Sequence, residues 1–161
     1  MYHTHLNDIA QVTGGAVGAL IVLEPGERHE PTRDHVFLAH WGGLAGEKDT
    51  VDALMVNGDS IGHGVWTLPA GVTHRLRFIN IGPANSVRFA LRRAGDVSAW
   101  TARAKDGADL ARSLWLPRPA QQFVAVGETY DFEITPTPGD YVLSAAFGAQ
   151  PVVWSQRITF R

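Results

Sequence analysis

The chain has no cysteine among its 161 residues. Disulfide bonds and any metal site that requires a thiolate ligand are therefore excluded. No apolar run approaches the roughly 20 residues that a helix needs to cross a bilayer, so we do not expect a membrane as a partner. The formal net charge is only −2 at pH 7, which gives no electrostatic reason to expect nucleic acid as a partner.

Signals for targeting and for helices are also scarce. The first residues lack the basic, apolar and small-residue segments of a signal peptide, so we expect either a cytoplasmic protein or a leader upstream of Met1. Only residues 106–114 could hold a helical turn. Pro117 and Pro119 follow this segment, and we expect them to stop any regular element.

Alternation of apolar and polar residues is the dominant pattern. Leu76 and Phe78 alternate with arginines, and similar patterns cover residues 86–91 and 130–134. Period-two alternation is typical of strands that are buried on one face. Because turn signals separate many such short segments, the sequence predicts an antiparallel sandwich or barrel. Further strands are predicted at 18–24, 34–41, 51–56, 64–68, 98–104, 121–126, 139–147 and 151–160.

His3 and His5 form a His-x-His segment near the N-terminus. In an extended segment their side chains point to the same side, and imidazole nitrogens suit copper, zinc, nickel and iron. Two ligands fall short of the three or four that a defined site needs. Asp8, a lone histidine brought near by folding, or a symmetry mate must supply the rest. The alternative is that both are exposed terminal histidines that bind Cu²⁺ or Ni²⁺ only loosely.

The remaining histidines are isolated in the sequence. His40 ends an apolar segment and His63 lies in a glycine-flanked loop, and both are further candidate metal ligands. A lone histidine at a strand end is more often a hydrogen-bonded structural residue. His74 is interpreted as a surface or edge residue, and His29 and His35 as solvated.

The segment Tyr2–His5, with the Gly-rich turn and apolar run that follow it up to Gly26, resembles the multicopper oxidase family. There, such a segment closes a cupredoxin domain. The resemblance implies an all-β, cupredoxin-like Greek-key β-sandwich with an N-terminal strand arm. Residues 1–24 would be remnant strands of a preceding cupredoxin domain, 25–33 a linker, and 34–161 the following cupredoxin-like domain. The motifs that extend the resemblance along the rest of the chain are Asn57-Gly58, Pro69-Ala70-Gly71, and residues 74–80, 105–109 and 127–132.

The resemblance also implies a function. His3 and His5 would bind copper in a truncated, laccase-like oxidoreductase that is periplasmic or secreted and oxidises phenolic substrates with dioxygen. The family's electron-entry copper needs a cysteine, and its copper cluster needs four His-x-His segments, of which this chain has one. Full reduction of dioxygen is therefore not expected, and activity would be weak or would depend on an interchain copper site. The alternative is a non-catalytic cupredoxin-like binding or assembly domain without metal.

A strand separated from its own sheet would expose an apolar face and unpaired backbone groups. Burial of Leu20 and Val22 would stabilise the chain by roughly 1.5–3 kcal/mol each. We therefore expect the N-terminal strand to dock on the remaining domain or to exchange between copies, which favours a homo-oligomer. Three chains meeting at these strands would bring six imidazoles together on one axis.

Overall fold

The computed structural model describes residues 1–42 and 53–161. It shows two large β-sheets stacked face to face and a separate two-stranded sheet. Within these residues, helical structure is limited to α1 (Asp8–Thr13) and a short 3₁₀ turn at Arg112–Leu114, which lies inside the segment predicted to hold a helical turn. No helix within the described residues is long and apolar enough to span a membrane. The strands are β1 (Tyr2–His3), β2 (Val17–Gly18), β3 (Asp34–Gly42), β4 (Ala53–Val56), β5 (Val65–Leu68), β6 (His74–Asn80), β7 (Val87–Arg93), β8 (Asp96–Val97), β9 (Ala99–Lys105), β10 (Ala108–Asp109), β11 (Pro117–Pro119), β12 (Gln121–Val124), β13 (Thr129–Ile134), β14 (Gly139–Phe147) and β15 (Trp154–Phe160).

The first sheet has seven strands in the order β10-β9-β13-β6-β3-β4, with β11 also paired to β9. The second has six strands in the order β12-β7-β14-β15-β5, with β8 paired to β7. The expectation of a purely antiparallel arrangement is wrong, because β3 pairs with β6 and β15 pairs with β5 in parallel. Parallel neighbours require a crossover, and between β3 and β6 the chain passes through β5 in the opposite sheet.

The core lies between the two sheets and consists largely of aromatic rings. Phe78 and Phe89 stack across the interface with ring centroids 4.5 Å apart, and Trp100 stacks on Phe132 at 4.2 Å. These side chains are inaccessible or nearly so. The predicted alternation on β6, β7 and β13 is confirmed, since their apolar faces point into this core.

The N-terminal segment docks on the outer face of the seven-stranded sheet. Met1, Val17 and Ala19 pack against an apolar patch of Leu38, Ile79 and Ile81. In the described part of the chain, β1 pairs with β2 and with no other strand, and α1 contacts β3. We refer to residues 1–19 as the N-terminal arm.

One expectation for this region is wrong, and the burial of Leu20 and Val22 by exchange between copies stays a prediction. The strand predicted over 18–24 is limited to Val17–Gly18, because among the described residues no strand pairs with those that follow Gly18. Leu20 is 65% exposed and Val22 85% exposed, so the apolar contacts that dock the arm come from other side chains. The domain boundaries at 24/25 and 33/34 stay predictions.

The prolines predicted to end regular structure instead form β11, which pairs with β9. Proline is tolerated on such an edge strand because its missing N–H would face solvent. Of the strand predicted over 51–56, residues 51 and 52 lie outside the described residues, and Ala53–Val56 is a strand as expected.

Candidate metal centre

The imidazole rings of His3 and His5 lie side by side at the surface. Their centroids are 4.5 Å apart and their planes are tilted by 40°. His3 ends β1, and His5 follows it in the loop that leads to α1. Both side chains are exposed. The structure therefore brings the two predicted ligands together, within reach of one metal ion or of two adjacent ions.

One hydrogen bond fixes which nitrogen of His3 is free. Nδ1 of His3 lies 2.9 Å from the carbonyl oxygen of Thr4. Because a carbonyl only accepts, Nδ1 carries the proton and donates it, and Nε2 keeps its lone pair. Metal-binding histidines commonly hold their second ring nitrogen in this way.

Helix α1, which the sequence analysis did not anticipate, supports this pair. The hydroxyl of Thr4 donates a hydrogen bond to Oε1 of Gln11 on the helix. The buried Val12 and the contacts with β3 hold the helix against the sheet. Helix α1 thus anchors the backbone that carries the two imidazoles on one side, and the pairing of β1 with β2 anchors it on the other.

The other predicted ligands do not complete the pair. In the part of the chain that the structure describes, no three His, Asp or Glu side chains are arranged to hold a metal ion. His40 is buried on β3, where Nδ1 donates to the carbonyl oxygen of Trp41 at 2.9 Å. His63 is exposed, and its Nε2 lies 2.8 Å from a carboxylate oxygen of Asp59. The side chain of Asp8 lies outside what the structure describes.

His35 and His74, interpreted from sequence as solvated and surface residues, are both buried. Nε2 of His74 donates to the carbonyl oxygen of Pro69 at 2.8 Å, so its Nδ1 accepts from Nε2 of His35 at 3.1 Å. Burial, reinforced by the neighbouring His74, lowers the pKa of His35 to about 4. Burial also lowers the pKa of His74. This arrangement is a neutral hydrogen-bond chain from His35 through His74 to the Pro69 carbonyl, and it occupies both ring nitrogens of His74.

Comparison with solved structures places the fold among copper proteins. A multicopper oxidase from Pseudomonas thermotolerans is 20% identical, with a TM-score of 0.69 over 99% of this chain and 40% of the other. A copper nitrite reductase from Nitrosomonas europaea is 14% identical, with a TM-score of 0.69 over 96% of this chain and 58% of the other. A laccase from Botrytis aclada is 14% identical, with a TM-score of 0.61 over 80% of this chain and 29% of the other.

These similarities confirm the cupredoxin-like fold that the sequence resemblance implied. The chain spans between about a third and slightly over half of the length of these proteins. No protein-family model matches the chain, and no curated protein matches it. At identities this low the similarity establishes the fold alone, so the function has to be argued from the residues of this chain.

Proposed function

We propose that this chain is a copper-binding domain of the multicopper oxidase type, in which His3 and His5 supply part of a metal site that other copies of the chain complete. The observation that carries the proposal is the exposed imidazole pair, with ring centroids 4.5 Å apart and with the Nε2 lone pair of His3 left free by the bond from Nδ1 to Thr4. The solved copper proteins that share the fold support copper as the metal.

The donor chemistry fits copper. Neutral imidazole is a good ligand for copper, and the order of metal affinities favours copper over the other divalent ions of the first transition series. Bound copper would supply one-electron redox chemistry, while the chain's own residues would hold and orient the ion. Without cysteine no electron-entry copper of the thiolate type can form, so we expect at most weak, dioxygen-dependent oxidation of phenolic substrates.

The surface around the pair supports the proposed homo-oligomer. Tyr2, Leu6 and Ile9 expose most of their side chains beside the two histidines, and Leu20 and Val22 are also exposed. Exposed apolar side chains that form a patch are typical of protein interfaces. An interface at the N-terminal arm would bury these residues and would bring imidazoles from several copies together. With three copies the site would have six imidazoles.

Metal content and mass in solution test the proposal together. Untagged protein is loaded with copper, dialysed, and measured by elemental mass spectrometry and by sedimentation velocity. We expect stoichiometric copper in a defined oligomer, and loss of the copper in the double variant His3→Ala/His5→Ala. His29→Ala, which removes another exposed histidine, is the matched control and should bind as much copper as the unmodified protein. Phenol oxidation is then assayed on the copper-loaded oligomer.

The alternative function is a non-catalytic binding or assembly domain. It is favoured by the lack of a third donor beside His3 and His5 among the described residues. Protein that takes up no copper in any oligomeric state would establish this alternative. Copper that is retained in the double variant would instead show that the metal lies elsewhere.

A further inference from the structure

A row of arginine and valine residues crosses the outer face of the six-stranded sheet. In the strand register, Val142 on β14 lies opposite Arg92 on β7 and Arg157 on β15. Arg157 in turn lies opposite Val65 on β5. The row therefore reads Arg92, Val142, Arg157, Val65 across four adjacent strands. With strands about 4.8 Å apart, the backbones of the two arginines are separated by about 10 Å.

The arginines on the outer face of the other sheet have carboxylate partners, which this row lacks. On the outer face of the seven-stranded sheet, Arg77 binds carboxylate oxygens of Asp34 at 2.7 Å and of Asp131 at 2.6 Å. Arg75 likewise binds Asp131 at 2.9 Å. There, carboxylates from the two strands that flank β6 bind the arginines.

Arg92 and Arg157 have no such partners. Within residues 1–42 and 53–161 neither arginine forms an ion pair, and the positions beside them carry the exposed side chains of Val65 and Val142. One guanidinium nitrogen of Arg92 donates to the carbonyl oxygen of Gly95 at 3.3 Å, which leaves its other N–H groups free. Each guanidinium has five N–H donors in a fork that matches a carboxylate.

The row forms the floor of a groove of about 610 Å³. The turn at Ala94-Gly95 borders it on one side. Among the residues that the structure describes, Asp140 is the one carboxylate that lines it, and its Oδ1 already accepts a hydrogen bond from the hydroxyl of Thr159 at 2.6 Å. The volume is in the range of small-molecule sites, which combine an apolar lining with a few oriented polar groups. The concave shape favours a small ligand over a flat macromolecular surface.

We infer that this groove binds a small amphipathic organic acid. Its apolar body would lie on Val65 and Val142, and its carboxylate would bind the guanidinium groups, as aspartate side chains do on the opposite sheet. Charge complementarity and the alternation of cationic and apolar side chains carry this inference. The groove is separate from the proposed copper site, which lies on the arm that covers the other sheet.

The experiment uses 4-phenylbutyrate as the probe and the neutral 4-phenylbutyramide as its isosteric partner. Amide chemical shifts of the ¹⁵N-labelled full chain are followed during each titration. We expect saturable shifts in β5, β14 and β15 with the carboxylate and much weaker binding of the amide. Arg157→Gln and Arg92→Gln should each weaken phenylbutyrate binding about tenfold, because each removes a charge-assisted hydrogen bond.

Arg28→Gln is the matched control, since it removes the same charge from an exposed position in the 25–33 segment, and it should leave the affinity unchanged. Equal binding of the amide, unchanged affinity in both groove variants, shifts confined to other strands, or no saturable binding would each overturn the inference. Sedimentation velocity tests whether this face is instead an interface between copies of the chain. If Arg157→Gln or Arg92→Gln dissociates an oligomer, the face is an interface between copies and the small-molecule inference is wrong.

Discussion

The buried pair of His35 and His74 makes the stability of this protein depend on pH. The pKa of a histidine in an unfolded chain is about 6.5, and in the folded protein that of His35 is lowered to about 4. The folded state therefore favours neutral His35. Its contribution to stability is complete above about pH 6.5 and is lost as the pH falls toward 4, because the unfolded chain takes up a proton that the folded chain does not.

The magnitude follows from the difference between the two pKa values. Each tenfold change in proton concentration inside this window is worth about 1.4 kcal/mol. His35 alone should therefore lower the free energy of unfolding by about 2 kcal/mol at pH 5, relative to pH 7.5, and by about 3 kcal/mol near pH 4. The lowered pKa of His74 acts in the same direction.

Urea unfolding at pH 7.5 and at pH 5 measures this effect. His35→Gln is the informative variant, since a glutamine amide can still donate to Nδ1 of His74 but cannot titrate. Carboxylates contribute to the pH dependence of both proteins, so the quantity of interest is the difference between them. We expect the variant to lose about 2 kcal/mol less than the unmodified protein between the two pH values. Equal losses in the unmodified protein and in His35→Gln would refute the reasoning.

Two further predictions concern stability. Asn80 is fully buried, and its side chain donates to the carbonyl oxygen of Val124 at 2.9 Å and accepts from the amide of Gly82 at 3.0 Å. Asn80→Leu should cost about 2–4 kcal/mol in urea unfolding because these backbone groups lose their partners, and a cost below about 1 kcal/mol would contradict this. Asp131→Asn removes the carboxylate that Arg75 and Arg77 share, and it should cost about 1–3 kcal/mol. If raising the salt concentration abolished that cost, the pair would be a weak surface interaction instead.

The longer strands could be predicted because they carry their own signal. On β6, Leu76 and Phe78 alternate with arginines, and this local pattern is enough to define both the strand and its buried face. The same pattern held information that the sequence interpretation did not use. His74 has the same parity as Leu76 and Phe78, and His35 the same parity as Phe37, so the period of two already placed both histidines in the core.

Other features depend on contacts that no local pattern encodes. Helix α1 has only six residues, too few to show helical periodicity, and it is held in place by contacts with β3. The Arg92–Val142–Arg157–Val65 row depends on the pairing of four strands that are far apart in the sequence. The His3/His5 pair was identifiable from its spacing, but completing a metal site from a second copy depends on a surface rather than on a sequence motif.

The way the N-terminal arm is attached has a consequence for its dynamics. The strand pairing of β1 is confined to the arm itself, so the arm is fastened to the sandwich by the side-chain contacts around Leu38, Ile79 and Ile81. Such a unit can open without unfolding the two sheets, and its free energy of opening is smaller than that of the whole domain. An ion bound by the docked arm and its neighbours would shift the equilibrium between open and docked arm toward the docked state by mass action. Bound copper would then hold the arm in its docked position. Its binding would be visible as slower hydrogen exchange in residues 1–19, while the exchange rates of the sandwich core stayed the same.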